Sequence, residues 1–89
     1  MSFEEKLVRE VKLYIDNDDL EGLKSFWDNT EFDVDLGWDY IFEKVYLHAA
    51  LKKRKNFCDW FDILFHQLSI IEQMAIRQMF SYAKYLLKK

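Results

Sequence analysis

Eighty-nine residues make one domain, 1–89, near the lower size at which a single core sustains itself. With 51% hydrophobic and 33% charged residues the composition excludes a disordered chain, and a formal charge of −3 argues against a general binder of polyanions. The one cysteine, Cys58, excludes an internal disulfide, and no apolar run approaches the ~20 residues that cross a bilayer.

The chain opens with Ser2 followed three residues later by Glu5, the spacing of a capping box. Phe3, Leu7, Val11, Tyr14 and Ile15 then recur at helical spacing and predict a helix over 3–16. This start is acidic and amphipathic, unlike a signal peptide, so an intracellular protein is expected. Asp18 and Glu21 repeat the box ahead of a shorter helix carrying Leu20, Leu23, Phe26 and Trp27. Residues 28–37 lose the period and read as a loop. A third helix is predicted over 38–53 from Trp38, Ile41, Phe42, Val45 and Ala49. Lys52-Lys53-Arg54-Lys55-Asn56 breaks the pattern. Phe57, Trp60, Phe61, Leu64, Phe65 and Leu68 mark a fourth helix. Ser69 and Glu72 form a third box before a fifth helix, whose apolar positions read as Ile71, Met74, Ala75, Met79, Tyr82, Ala83 and Leu86. Five helices without a strand pattern longer than Phe32–Asp35 predict an all-α fold.

The loop stretch Glu31-Phe32-Asp33-Val34-Asp35-Leu36-Gly37-Trp38-Asp39 resembles a calcium loop until its register is tested. Such a loop needs oxygen ligands at positions 1, 3 and 5, glycine at 6 and glutamate at 12. Starting at Asp33 puts Gly37 at 5 and Lys44 at 12. Starting at Phe32 puts Gly37 at 6 and Glu43 at 12, but leaves Phe32, Val34 and Leu36 at ligand positions. Neither register binds calcium. His48 and His66 have no Cys or acidic partner at metal spacing, so no metal and no cofactor are expected. Cys58 and His66 would lie about 12 Å apart along one helix, too far for a nucleophile and its base. With neither a glycine-rich loop nor a nucleophile elbow, the chain reads as a non-enzyme.

Asp18-Asp19-Leu20-Glu21-Gly22-Leu23-Lys24-Ser25-Phe26-Trp27 is similar to the second helix of an ankyrin repeat, Asp33-Val34-Asp35 to the segment that closes one, and Leu47-His48-Ala49-Ala50 to the first helix of the next. The Thr-Pro that opens such a helix is absent, and about six extra residues separate Gly37 from His48. The pattern resembles the degenerate ankyrin-like repeats of large DNA viruses, with residues 69–89 as a capping helix.

That resemblance implies a non-catalytic protein-interaction module, a viral accessory factor docking on a host protein through Phe32, Asp33, Asp35, Trp38, Asp39 and Phe42. The aromatic share of 18% is more than so short a chain easily hides, and two repeats fall short of the three that a solenoid needs. A homodimer is therefore expected. The alternative is a nucleic-acid-binding or nuclear-targeted factor using Lys52, Lys53, Arg54 and Lys55, with cytoplasmic residence and nuclear entry.

Overall fold

The computed structural model describes residues 2–32 and 36–88, with the backbone alone at Glu72 and Ala75. Five helices follow in order: α1 Phe3–Asp16, α2 Leu20–Asp28, α3 Trp38–Leu51, α4 Lys55–Phe65 and α5 Ile70–Lys88. There is no strand among the described residues, and no described helix is long and apolar enough to cross a membrane. The fold is all-α.

The start of α1 is set by Ser2, whose hydroxyl accepts the Glu5 N–H at 3.2 Å. At α2 the capping acid is Asp19, one residue later than the expected Asp18. Its carboxylate accepts the Gly22 N–H at 3.0 Å. A Cβ at residue 22 would collide with that carboxylate, so Gly22 leaves room for the cap. Asp18 instead ends α1, as its left-handed residue with φ 53°. Its N–H reaches Ile15 O, and the Asp19 N–H reaches Tyr14 O, at 3.1 and 2.9 Å. The end of α3 repeats this Schellman geometry. Lys53, at φ 60°, donates to Ala50 O, and Arg54 to Ala49 O, again at 3.1 and 2.9 Å.

The repetition extends to the whole helix pair. Phe3 and Trp38, Asp16 and Leu51, and Leu20 and Lys55 begin or end corresponding helices, each pair 35 residues apart. Buried positions correspond too: Leu7 with Phe42, Val11 with Tyr46, Ile15 with Ala50 and Leu23 with Cys58. The chain thus repeats one helical-hairpin geometry, with Asn-Asp-Asp in the first turn and Lys-Lys-Arg in the second.

The hairpins stack through their first helices. α3 packs against both α1 and α5, while α2 covers α1 and α4 covers α3. Its buried residues Ile41, Phe42, Val45, Tyr46, Ala49 and Ala50 occupy more of the helix surface than one stripe, as a helix walled on several sides requires. α5 supplies Ile76, Phe80 and Ala83 to the core. The Phe80 ring sits edge-on to both Tyr46 and Phe65, each with centroids 4.2 Å apart. Helices α3 and α4 end earlier than the sequence predicts, at Leu51 and Phe65 rather than 53 and 68, and α4 begins two residues sooner.

A left-handed conformation costs a non-glycine residue about 1–2 kcal/mol, whereas glycine carries about 0.5–1 kcal/mol of extra chain entropy. The first term is larger. Asp18→Gly also removes the exposed Asp18–Arg54 pair, so it is expected to stabilise the fold by at most about 0.5 kcal/mol in urea unfolding; a loss above about 1 kcal/mol would contradict the turn geometry.

Candidate functional site

The residues proposed for docking fall into two groups. Phe32 and Trp38 pack beside Trp27, with centroids 4.8 and 5.9 Å from its ring, and 5.4 Å from each other. Trp60 of α4 meets Trp27 edge-on at 5.6 Å. These rings pin the two ends of the 29–37 loop to α2, α3 and α4, and all four are half-buried. Phe42 is only 1% exposed, so it belongs to the core and is withdrawn from any docking surface. Asp39 is exposed at the start of α3. Asp33 and Asp35 lie outside the described residues.

Of the basic connector, Arg54 is half-buried against its own chain, while Lys52, Lys53 and Lys55 are exposed. Arg54 Nε donates to Ile15 O at 3.2 Å and Nη2 to Asp16 O at 3.4 Å, while Nη1 lies 3.6 Å from Asp18 Oδ2. Those carbonyls close α1, where a cation is favoured by the helix dipole. Lys53 donates to Leu86 O near the end of α5. Lys55 pairs with Asp59 at 3.0 Å, and Lys52 lies 3.9 Å from Asp16. The Asp16 carboxylate also accepts from His48 Nε2 at 2.7 Å. That hydrogen bond, more than the nearby cationic charges, holds its pKa below the ordinary value. The four cations therefore tie the α3–α4 turn to the ends of α1 and α5 and to the first turns of α4. Lys53, Lys55 and Lys84 also border a cleft of about 330 Å³ with Tyr46 and Leu87 in its wall. There the Tyr46 hydroxyl donates to Asp62 at 3.3 Å, and Lys84 sits 3.8 Å from the same carboxylate.

Cys58 is 1% exposed in α4. Burial pushes its thiol up to about 12, with Asp62 and Asp59 adding repulsion of the thiolate. A thiol held in its protonated form is a small apolar core group rather than a nucleophile. His66 caps α4 and donates through Nδ1 to Asp62 O at 2.7 Å. Among the described residues no three His, Cys, Asp or Glu side chains converge as a metal set.

The most exposed apolar surface lies where the apolar spacing predicts a core face. Ile71, Met74, Tyr82 and Tyr85 are 80%, 67%, 56% and 54% exposed, with Ile70 open beside them. At about 100° per residue, Ile71, Met74, Gln78, Tyr82 and Tyr85 fall within an arc of about 80°. That arc is opposite Ile76, Phe80 and Ala83. The helix has two apolar stripes, one buried and one bare. Counting apolar residues at helical spacing finds the helix but merges the stripes; separating them requires asking which residues share an arc.

Comparison with protein-family models, with curated proteins and with solved structures finds no match.

Arg54→Ala removes charge-assisted hydrogen bonds from the carbonyl end of α1, and is expected to lower stability by about 1–3 kcal/mol in urea unfolding. Arg54→Lys should recover little of it, because an ammonium cannot reproduce the forked donors; Lys55→Ala, at an exposed pair, should stay within about 0.5 kcal/mol. Cys58 should ignore Ellman's reagent at neutral pH in the native state and react fully once unfolded. Its folded pKa is raised, so its stabilising share is complete below about pH 9, the ordinary thiol value, and is lost as pH climbs towards about 12. Tyr46, also raised by burial, acts in the same direction. Stability measured against pH should fall on the alkaline side, and a flat profile there would contradict the burial of both groups.

Proposed function

We propose that this chain is a non-catalytic protein-interaction module, built on two degenerate ankyrin-like hairpins and docking through the outer face of α5. The bare stripe of Ile71, Met74, Tyr82 and Tyr85 carries the reading. Isolated exposed apolar residues are ordinary, but several large ones on one arc of one helix form the kind of contiguous patch that marks a binding surface. Tyrosine and methionine suit such a surface, the first by rigid amphipathic area and the second by adaptable packing. The stacked hairpins support the ankyrin-like part of the reading, as does His48 of the Leu47-His48-Ala49-Ala50 motif, which joins the second hairpin to the first through Asp16.

The α5 reading is preferred to the nucleic-acid alternative because Arg54 is engaged with the end of α1; the exposed Lys52, Lys53 and Lys55 leave that alternative to the test below. The docking surface accordingly moves from the 32–42 segment to α5.

The test compares proteins retained from a cell extract by the wild type, by Met74→Glu/Tyr82→Glu, and by Lys52→Ala/Lys55→Ala, each shown to be folded by circular dichroism. Retention should be lost with the α5 variant and kept with the connector variant. Equal retention by all three would defeat the assignment to α5, and loss confined to the connector variant would restore the nucleic-acid reading.

A further inference from the structure

α5 stands in the register of a first helix: it packs beside α3 as α3 packs beside α1. Its outer face is where the next helix of the layer would lie. The opposite edge of the layer is chemically different. α1 exposes Glu5, Lys6, Arg9 and Glu10, and its two exposed apolar residues, Phe3 and Leu13, are separated by about 15 Å along the axis. A head-to-tail stack would press the apolar stripe of α5 onto this charged edge and would extend without closing. An isologous contact places apolar on apolar and closes at two copies.

We propose that the stripe is covered by α5 of a second copy of this chain, antiparallel, with the two-fold axis at Gln78. This rests on the interaction-module reading and names its occupant. About an axis at residue 78, Ile71 lies opposite the partner's Tyr85, and Met74 opposite the partner's Tyr82. A branched aliphatic or a thioether thus meets an aromatic ring at every apolar layer, a favourable pairing for methionine sulfur in particular. Gln78, the polar member of the arc, meets its own counterpart. A carboxamide carries both donor and acceptor, so two copies satisfy each other across the axis. A parallel pairing would instead align the two helix dipoles. With Ile70 at its margin the stripe offers roughly 700 Å² per copy, at large side chains of about 150–250 Å² each when whole. The flanking Arg77 and Ser81 bring it close to the ~800 Å² per partner of a standard interface. The resulting layer runs α1-α3-α5 into the second copy's α5-α3-α1, with a charged edge at each end.

Sedimentation equilibrium of the purified chain across the micromolar range should give a mass near twice 10.9 kDa. Met74→Glu should weaken dimerisation at least tenfold with the helix content unchanged. Orientation is read by oxidation of single-cysteine variants, Cys58 being buried. Gln78→Cys should form a disulfide-linked dimer, since only a residue at the axis meets its own counterpart within the ~7 Å Cα separation a disulfide spans. Ile71→Cys alone should not, but mixed with Tyr85→Cys it should cross-link. Cross-linking of Ile71→Cys to itself would mean a parallel pair and overturn the antiparallel axis. A monomer whose retention of extract proteins still depends on Met74 and Tyr82 would overturn the second copy while leaving the interaction module. A monomer without that dependence would overturn both.

Discussion

Burial of α3 is the constraint on which the rest of the structure depends. A helix closed in by α1, α5 and α4 must be apolar over most of its circumference, and its neighbours need only one stripe each. Tyr46 shows the cost: its ring fills the space beside Phe61 and Phe80, and its hydroxyl needs Asp62 at the rim of the cleft to stay satisfied. Small residues follow at Ala49 and Ala50, where the helix approaches the turn. Removing α3 would leave the α1–α2 hairpin and two separate helices, α4 and α5, none with an enclosed core.

The turn that follows α3 fixes how the hairpins meet. Arg54 closes the end of α1 while its own N–H closes the end of α3. One residue thereby satisfies groups on both helices. The isolated pairs around it, Lys52 with Asp16 and Lys55 with Asp59, are exposed and add little. Arg54 differs because it is half-buried and its guanidinium reaches two carbonyls at the end of α1, Asp16 O and Ile15 O, the second of which also takes the Asp18 N–H. A cluster of four basic residues is therefore uneven: one residue holds two hairpins together, and three decorate the same turn.

The sequence makes α1 legible to the residue because Ser2 and Glu5 frame its start and the apolar period is uninterrupted. It leaves the turns illegible. Glycine is the usual sign of a left-handed helix end, and here Asp18 and Lys53 occupy that position. Without the sign, Asp18 reads as a cap for the following helix, and the 35-residue repeat stays hidden. Alignment to an ankyrin pattern reinforces this, by anchoring on Leu47-His48-Ala49-Ala50 at the far end of α3 instead of on the equal lengths of α1 and α3. The candidate site suffers from the reverse problem. Phe32, Trp38 and Phe42 lie next to a loop, where binding residues often occur; yet Phe42 is buried among Trp38, Phe61 and Phe80, and Phe32 and Trp38 are half-buried beside Trp27.

The fate of the aromatic residues shows how α5 comes to keep an exposed apolar face. Six are buried and six more are half-buried against the core, so most of the aromatic excess is absorbed by an interior of five helices. The exposed remainder is Phe3, Tyr40, Tyr82 and Tyr85. Phe3 and Tyr40 stand near charged groups, with Lys44 over the Tyr40 ring at 5.7 Å. Tyr82 and Tyr85 share an arc with Ile71 and Met74. A helix needs one apolar stripe to dock on α3, and Ile76, Phe80 and Ala83 already provide it. A second stripe on the opposite side adds nothing to the fold of one chain and raises its tendency to associate. Charged residues would serve an outer face better, as α1 demonstrates at the other edge of the same layer. The proposed contact with a second copy of the chain would account for this asymmetry between the two edges, for which the fold of a single copy supplies no reason.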